Sequence, residues 1–170
     1  MKTKILSISI LFFVFFQTKV QAQNISFDCI EDTYVSRSSS GTNYGTQNEL
    51  LIKGSTGGNF NRKTYVKFDI TGSDTDYEQI LLKLVKIDGE ELTMFNTNST
   101  GTTWSETTMN WNNAPAFIDE VGQGHLRTAD ILYIDVTDYI KSKINNSQFT
   151  LSLAISSDDI IGSPFAVHSK

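Results

Sequence analysis

The chain has 170 residues, 39% hydrophobic and 19% charged, and its 19 acidic against 14 basic residues give a formal net charge of −5. An acidic chain lacks the cationic footprint that a phosphate backbone requires, so nucleic acid is excluded as a partner. Cys29 is the only cysteine, which excludes an intrachain disulfide, and His125 and His168 are too far apart in sequence to give a zinc-ligand spacing.

The first element is a targeting segment. Lys2 and Lys4 precede an apolar run, Ile5 to Phe16, interrupted only by Ser7 and Ser9, and a polar stretch then closes on Val20-Gln21-Ala22. This pattern predicts a secretory signal peptide over residues 1–22, because a spanning helix needs about 20 apolar residues. Residues 23–170 then carry 11 basic against 19 acidic groups, a charge of −8, and form one domain able to bury one core. No later segment is apolar for long enough to enter a bilayer, so the expectation is a secreted protein without membrane insertion. Cys29 follows Ser26-Phe27-Asp28 rather than a small-residue lipidation motif, and reads as a small buried hydrophobe.

Beyond the leader, short β-branched and aromatic runs recur between clusters of Gly, Asn, Ser and Thr. They predict strands at 25–28, 32–36, 49–53, 62–70, 79–87, 91–96, 130–136, 148–156 and 164–169. One helix is predicted over 137–144, where Val136, Tyr139, Ile140 and Ile144 recur at helical spacing behind an Asp135 or Thr137 cap. Many short strands without a 20-to-50-residue repeat indicate a sandwich or a barrel, and periodicity does not choose between them. The long polar loops at 36–47 and 96–113 are the places where a rigid scaffold carries function. Three sequons, at Asn24, Asn98 and Asn145, are what chance supplies in a chain this rich in Asn, Ser and Thr.

Several short motifs follow one another in a set order. They are Asp32-Thr33-Tyr34-Val35, Asn43-Tyr44-Gly45, Leu51-Ile52-Lys53-Gly54, the run from Arg62 to Asp69, Trp104-Ser105-Glu106-Thr107-Thr108, the run from Asn110 to Pro115, and Asp135-Val136-Thr137. Together they resemble the DNRLRE domain family, which includes the carbohydrate-binding modules attached to bacterial alginate lyases. The resemblance covers nearly all of residues 23–170. It implies an all-β fold, a jelly-roll-type antiparallel β-sandwich with one short helix. It also implies an acidic polysaccharide such as alginate as ligand, and a fused or associated catalytic domain as partner. Members of the family continue past the equivalent of Ser169-Lys170 with one further strand, so the expected domain, 23–170, lacks its last strand.

The run Arg62 to Ile70 alternates. Thr64, Val66, Phe68 and Ile70 share the face expected to form core, and Lys63, Tyr65, Lys67 and Asp69 the opposite one. Ammonium groups for carboxylates and a ring for the sugar face suit a chain of uronates. If the neighbouring strands share this sheet, Lys53, Arg62, Lys63, Tyr65, Lys67 and Lys83 form one basic and aromatic groove. The competing reading is that outward lysines are ordinary solvated residues that discourage aggregation. Trp104 and Trp111 fit either a sugar platform or a self-packed loop around Asn113-Ala114-Pro115, and the loop is the preferred reading.

For a metal, Glu31 and Asp32 are the candidate ligands of a structural calcium, since such modules hold the ion on carboxylate and carbonyl oxygens. No cofactor is required. The acids from Asp74 to Glu78 lack the glycine and closing glutamate of a calcium-binding hand. No carboxylate pair stands out as glycosidase machinery, and Tyr65 beside two lysines fits a lyase base only loosely. The expectation is a noncatalytic binding module for an acidic polysaccharide. The alternative is a structural or adhesive module of a larger secreted or cell-surface protein, without a sugar site.

Overall fold

Strands of four to nine residues, broken at glycine and asparagine turns, assemble into two antiparallel sheets. The computed structural model describes residues 25–89, 94–126, 130–159 and 162–170. The predicted signal peptide, the Asn24 sequon and the start of the strand expected at 91–96 lie outside the described residues. The strands are β1 (Cys29–Ser36), β2 (Glu49–Ile52), β3 (Arg62–Asp69), β4 (Leu81–Asp88), β5 (Met94–Thr100), β6 (Phe117–His125), β7 (Ile131–Asp135), β8 (Thr150–Ser156) and β9 (Phe165–His168), with one helix, α1 (Thr137–Asn145). A five-stranded sheet has the order β1-β3-β8-β5-β6 and a four-stranded sheet the order β2-β9-β4-β7. The fold is the expected all-β sandwich.

The core follows from period-two alternation on both inner faces. Val66 and Ile70 from β3 and its end, Leu151, Leu153 and Ile155 from β8, and Phe95 from β5 face Leu82 and Leu84 of β4, Leu132 and Ile134 of β7, and Phe165 and Val167 of β9. All are buried, and each such side chain contributes about 1.5–3 kcal/mol by leaving water. Phe95 and Phe165 meet across the sandwich with ring centroids 4.7 Å apart. The predicted core set of Thr64, Val66, Phe68 and Ile70 does face inward, with Phe68 only partly buried.

At one side the sheets close on each other through glycine. A Cβ on Gly122 would stand 2.6 Å from the Asp135 carbonyl oxygen, and one on Gly124 2.9 Å from Ile134 Cγ1, so bare backbone lets β6 meet β7 of the other sheet. Strand β6 escaped sequence prediction. Two of its inward positions are these glycines, Val121 packs against the core between stretches without apolar alternation, and Ile118, Asp119 and Glu120 are exposed, so it shows no apolar period.

Helix α1 covers one end of the sandwich and agrees with its prediction. The Asp135 carboxylate accepts from the Thr137 amide (2.9 Å) and hydroxyl (2.6 Å), and Thr137 Oγ1 in turn accepts from the Ile80 amide (2.8 Å). The helix buries Ile140, packs Tyr139 and Ile144 against the core, and stops at Ser147, which has φ 55°.

Candidate functional site

The outer face of the five-stranded sheet divides into a roofed part and an open part, and the division decides what each predicted residue does. The loop after β5, residues 101–116, folds back over β3 and β8. Its Trp104 and Met109 are buried with Tyr65, Val35 and Ala154 in a second apolar cluster outside the sandwich core. The Trp104 indole N–H donates to Ser152 Oγ (2.8 Å), and Tyr65 meets Trp104 edge-on at 6.3 Å and donates its hydroxyl to the Pro115 carbonyl (3.1 Å). The Asn43 amide holds the loop from the other side, donating to the carbonyls of Glu106 (2.6 Å) and Met109 (2.7 Å). Gly45 is needed there because a Cβ would run into the Glu106 carbonyl.

This roof corrects the expected strip. Tyr65 is 2% exposed and Lys67 6% exposed, so neither lies on an open face. The Lys67 ammonium pairs with Glu31, donates to the Trp104 carbonyl and sits 4.4 Å from the Trp104 ring centroid. Burial pushes the Tyr65 phenol up to about 12. Lys83 is on β4, in the other sheet, and its side chain is exposed on the opposite side of the sandwich. Lys53 and Arg62 face each other as a backbone bridge at the sandwich end. The Lys53 ammonium donates to the Gly162 carbonyl (2.6 Å), and both side chains are half-buried. Of the six predicted binding residues, the structure leaves only Lys63 on the open part of that face.

The predicted calcium ligands are likewise engaged by the protein itself. Glu31 pairs with Lys67 and accepts from the Glu106 amide (3.3 Å). Asp32 accepts from Ser169 Oγ (2.8 Å) and from the Lys170 amide (2.7 Å), and Lys170 pairs with Glu106. Burial alone would raise the Glu31 carboxyl, but its hydrogen bonds from Lys67 and the Glu106 amide outweigh that and hold it below the usual range. These oxygens are turned to lysine ammonium groups, backbone amides and the Ser169 hydroxyl. Among the described residues no group of three or more His, Cys, Asp or Glu is arranged to hold a metal.

The open part begins one outward position along β3. Lys63 Nζ lies 4.2 Å from the Phe117 ring centroid and 5.2 Å from that of Trp111, both half-buried. Thr64 pairs with Ile155, which puts Lys63 beside Ser156. Ser156 pairs with Asn96, and Asn96 with Gln123. A polar row therefore runs across four strands, about 14 Å at the usual inter-strand spacing. Gln123 donates to Asn96 Oδ1 (3.2 Å) and Asn96 to Asp158 Oδ2 (2.9 Å), which fixes both amides. Burial lowers the Lys63 ammonium, the Asp158 carboxylate opposes that, and the Arg37 guanidinium adds to it. The charges of Arg37 and Asp158 are thus both felt at Lys63. Sequence reasoning missed Phe117, Gln123, Asn96, Arg37 and Asp158, because β6 was unseen, Asn96 lies within β5 without a motif, and Arg37 and Asp158 lie just beyond β1 and β8.

A half-buried cation beside two rings, with amides in a row on a rigid sheet, is the equipment for recognising a polyhydroxylated ligand. The family model for carbohydrate-binding module family 96 matches residues 23–170. The chain belongs to carbohydrate-binding module family 96. A gellan lyase from Bacillus sp is 33% identical to the module over 114 residues, 62% of this chain and 4% of the lyase. The chain therefore spans a small part of that relative's length, and the module is noncatalytic, as its family and this narrow match indicate. No helix among the described residues is long and apolar enough to cross a membrane.

Proposed function

We propose that the module is secreted and binds an acidic polysaccharide, with alginate as the first candidate, on the open outer face of its five-stranded sheet. The observation that carries this reading is Lys63 held beside Trp111 and Phe117 at the head of the Ser156, Asn96 and Gln123 row. A uronate carboxylate would be read by the Lys63 ammonium, with Arg37 adding attraction, while the rings take the apolar face of the sugar and the amides its hydroxyls. Lysine acts as a point charge here, so affinity falls as salt rises. A relative named for its action on gellan supports a polysaccharide ligand and a lyase as the kind of catalytic partner this module serves.

The test is calorimetric titration of the purified protein with alginate, pectin and a neutral glucan at low and high salt, beside Lys63→Ala. Salt-sensitive binding to the uronate polymers, lost in Lys63→Ala while the variant stays folded, is expected. Binding to no glycan by folded protein would leave the structural or adhesive module as the better reading.

A further inference from the structure

Charge is spread unevenly along the open face of the five-stranded sheet. Among the described residues its cations lie at the β3 end, where Lys63 pairs with Val35 of β1 and Arg37 follows two residues beyond Val35. From there the row continues through Ser156, Asn96 and Gln123, all uncharged. Two carboxylates flank that stretch. Asp158 is exposed and is tied to the row by the Asn96 amide, which donates to it (2.9 Å). Glu120 is exposed too and pairs with Asn98, which pairs in turn with Ala154 of the outer apolar cluster. Paired residues share a side of the sheet, so Glu120 stands on the outer face, one outward position along from Asn96 and Gln123, about 7 Å. Among the described residues neither acid has an ion-pair partner; the pairs there are Lys67 with Glu31 and Lys170 with Glu106.

This distribution suits one arrangement of charge on the ligand. Neighbouring strands are about 4.8 Å apart, close to one sugar of an extended chain, so about three sugars cover the row. A carboxylate on the sugar beside Lys63 is attracted to the ammonium. The same group on either of the next two sugars comes within about 7 Å of Asp158 or Glu120, and two like charges at that separation in water weaken binding about threefold. A sugar hydroxyl in those places meets the opposite response, because a carboxylate accepts its hydrogen bond.

Resting on the glycan role of this face, we propose that Asp158 and Glu120 make the module selective for acidic polysaccharides with spaced carboxylates, a uronate at Lys63 being followed by neutral sugars over Asn96 and Gln123. An unbroken polyuronate such as alginate still binds through its carboxylate at Lys63, and the two acids hold its affinity down. Selectivity of this kind comes from repelling the wrong ligand as much as from attracting the right one.

Calorimetric titration of the purified protein with alginate oligosaccharides tests this, because one backbone can be given different charge spacing. The probes are the intact oligosaccharide, the same with two in three carboxyls reduced to primary alcohols, and the fully reduced form. At low salt the partly reduced form should bind about threefold more tightly than the intact one, and high salt should abolish the difference. The fully reduced form should bind more weakly than either, having no carboxylate for Lys63. Asp158→Asn combined with Glu120→Gln, checked for folding by circular dichroism, should tighten the intact form about tenfold and remove the preference. Asp76→Asn, an equally exposed change on the loop after the far end of β3, should leave the preference unchanged and so separates local repulsion from net charge. Equal binding of the intact and partly reduced forms, a preference that survives the double change, or an equal loss of it in Asp76→Asn overturns the selectivity while glycan binding stands. Binding of none of the three forms, or binding unaltered in Lys63→Ala, refutes the glycan face itself and the selectivity with it.

Discussion

Lysine 67 separates the two roles that a lysine on a sheet face can play, and its removal has a size that can be worked out. Lys67→Ala would strip Glu31 of its ion-pair partner and the Trp104 carbonyl of its donor, in a place where the Lys67 side chain is 7% exposed and that of Glu31 26% exposed. Breaking a buried pair by deleting one partner costs about 3–5 kcal/mol. Water reaches part of Glu31, which also keeps the Glu106 amide as a donor, so the expected loss is about 2–3 kcal/mol. At about 2–4 °C per kcal/mol for a domain of this size, the melting temperature should fall by about 5–10 °C. Urea unfolding followed by tryptophan fluorescence measures the loss, and titration with alginate at a temperature where the variant is folded should give wild-type affinity. The double change Glu31→Gln with Lys67→Met should lose less than the single change, because no buried charge is left alone. Unchanged stability together with lost glycan binding would refute this and return Lys67 to the ligand.

Other outcomes follow from the same geometry. Since the Glu31 carboxyl is held below its ordinary value of 4.5, the stability it supplies is complete above that pH and lost as pH falls through the lowered folded value; acid urea titrations should show a drop below pH 4.5 that Glu31→Gln flattens. Thr97 Oγ1 is buried and has no hydrogen-bond partner among the described residues, so Thr97→Val should raise unfolding free energy by about 1 kcal/mol in urea. Trp111→Ala should cost about tenfold in alginate affinity by calorimetry while keeping the salt slope, since it removes a ring and no charge. Asp158→Asn should tighten alginate binding about threefold and steepen its salt dependence, because it removes a carboxylate that acts on Lys63.

Sequence patterns captured local structure well and coverage poorly. The alternation from Thr64 to Ile70 named the inward face of β3, and the spacing around Tyr139 and Ile140 named α1 with its Asp135 and Thr137 start. Asn43-Tyr44-Gly45 stood out as a motif, and its reason is tertiary, since the asparagine and glycine receive the loop that carries Glu106 and Met109. What alternation could not convey is that a loop 40 residues further on covers the outer face over Tyr65 and Lys67 while sparing Lys63. Nor could it say that β4 joins the other sheet, because sheet membership depends on pairing over long sequence separations. The charge of Lys67 suggested solvent when its partner, Glu31, lay across the β1 and β3 pair, and both residues had been read separately for different ligands.

The roofed half of β3 explains how the open half can bind. Lys63, Tyr65 and Lys67 share one side of one strand, and their surroundings grade from half-buried to sealed. Trp104 is fixed by Ser152, and Lys67 fixes the carbonyl of that same residue. Further along the loop, the Pro115 carbonyl is held by Tyr65, between Trp111 on one side and Phe117 on the other. The rings flanking Lys63 are therefore positioned by buried polar bonds rather than by the ligand, which lowers the ordering cost of binding. If the proposed face is the glycan site, Lys67 and Tyr65 act on it only through the loop they hold, so a change at either that leaves residues 101–116 in place, as is expected of Lys67→Ala below its melting temperature, should leave affinity unchanged.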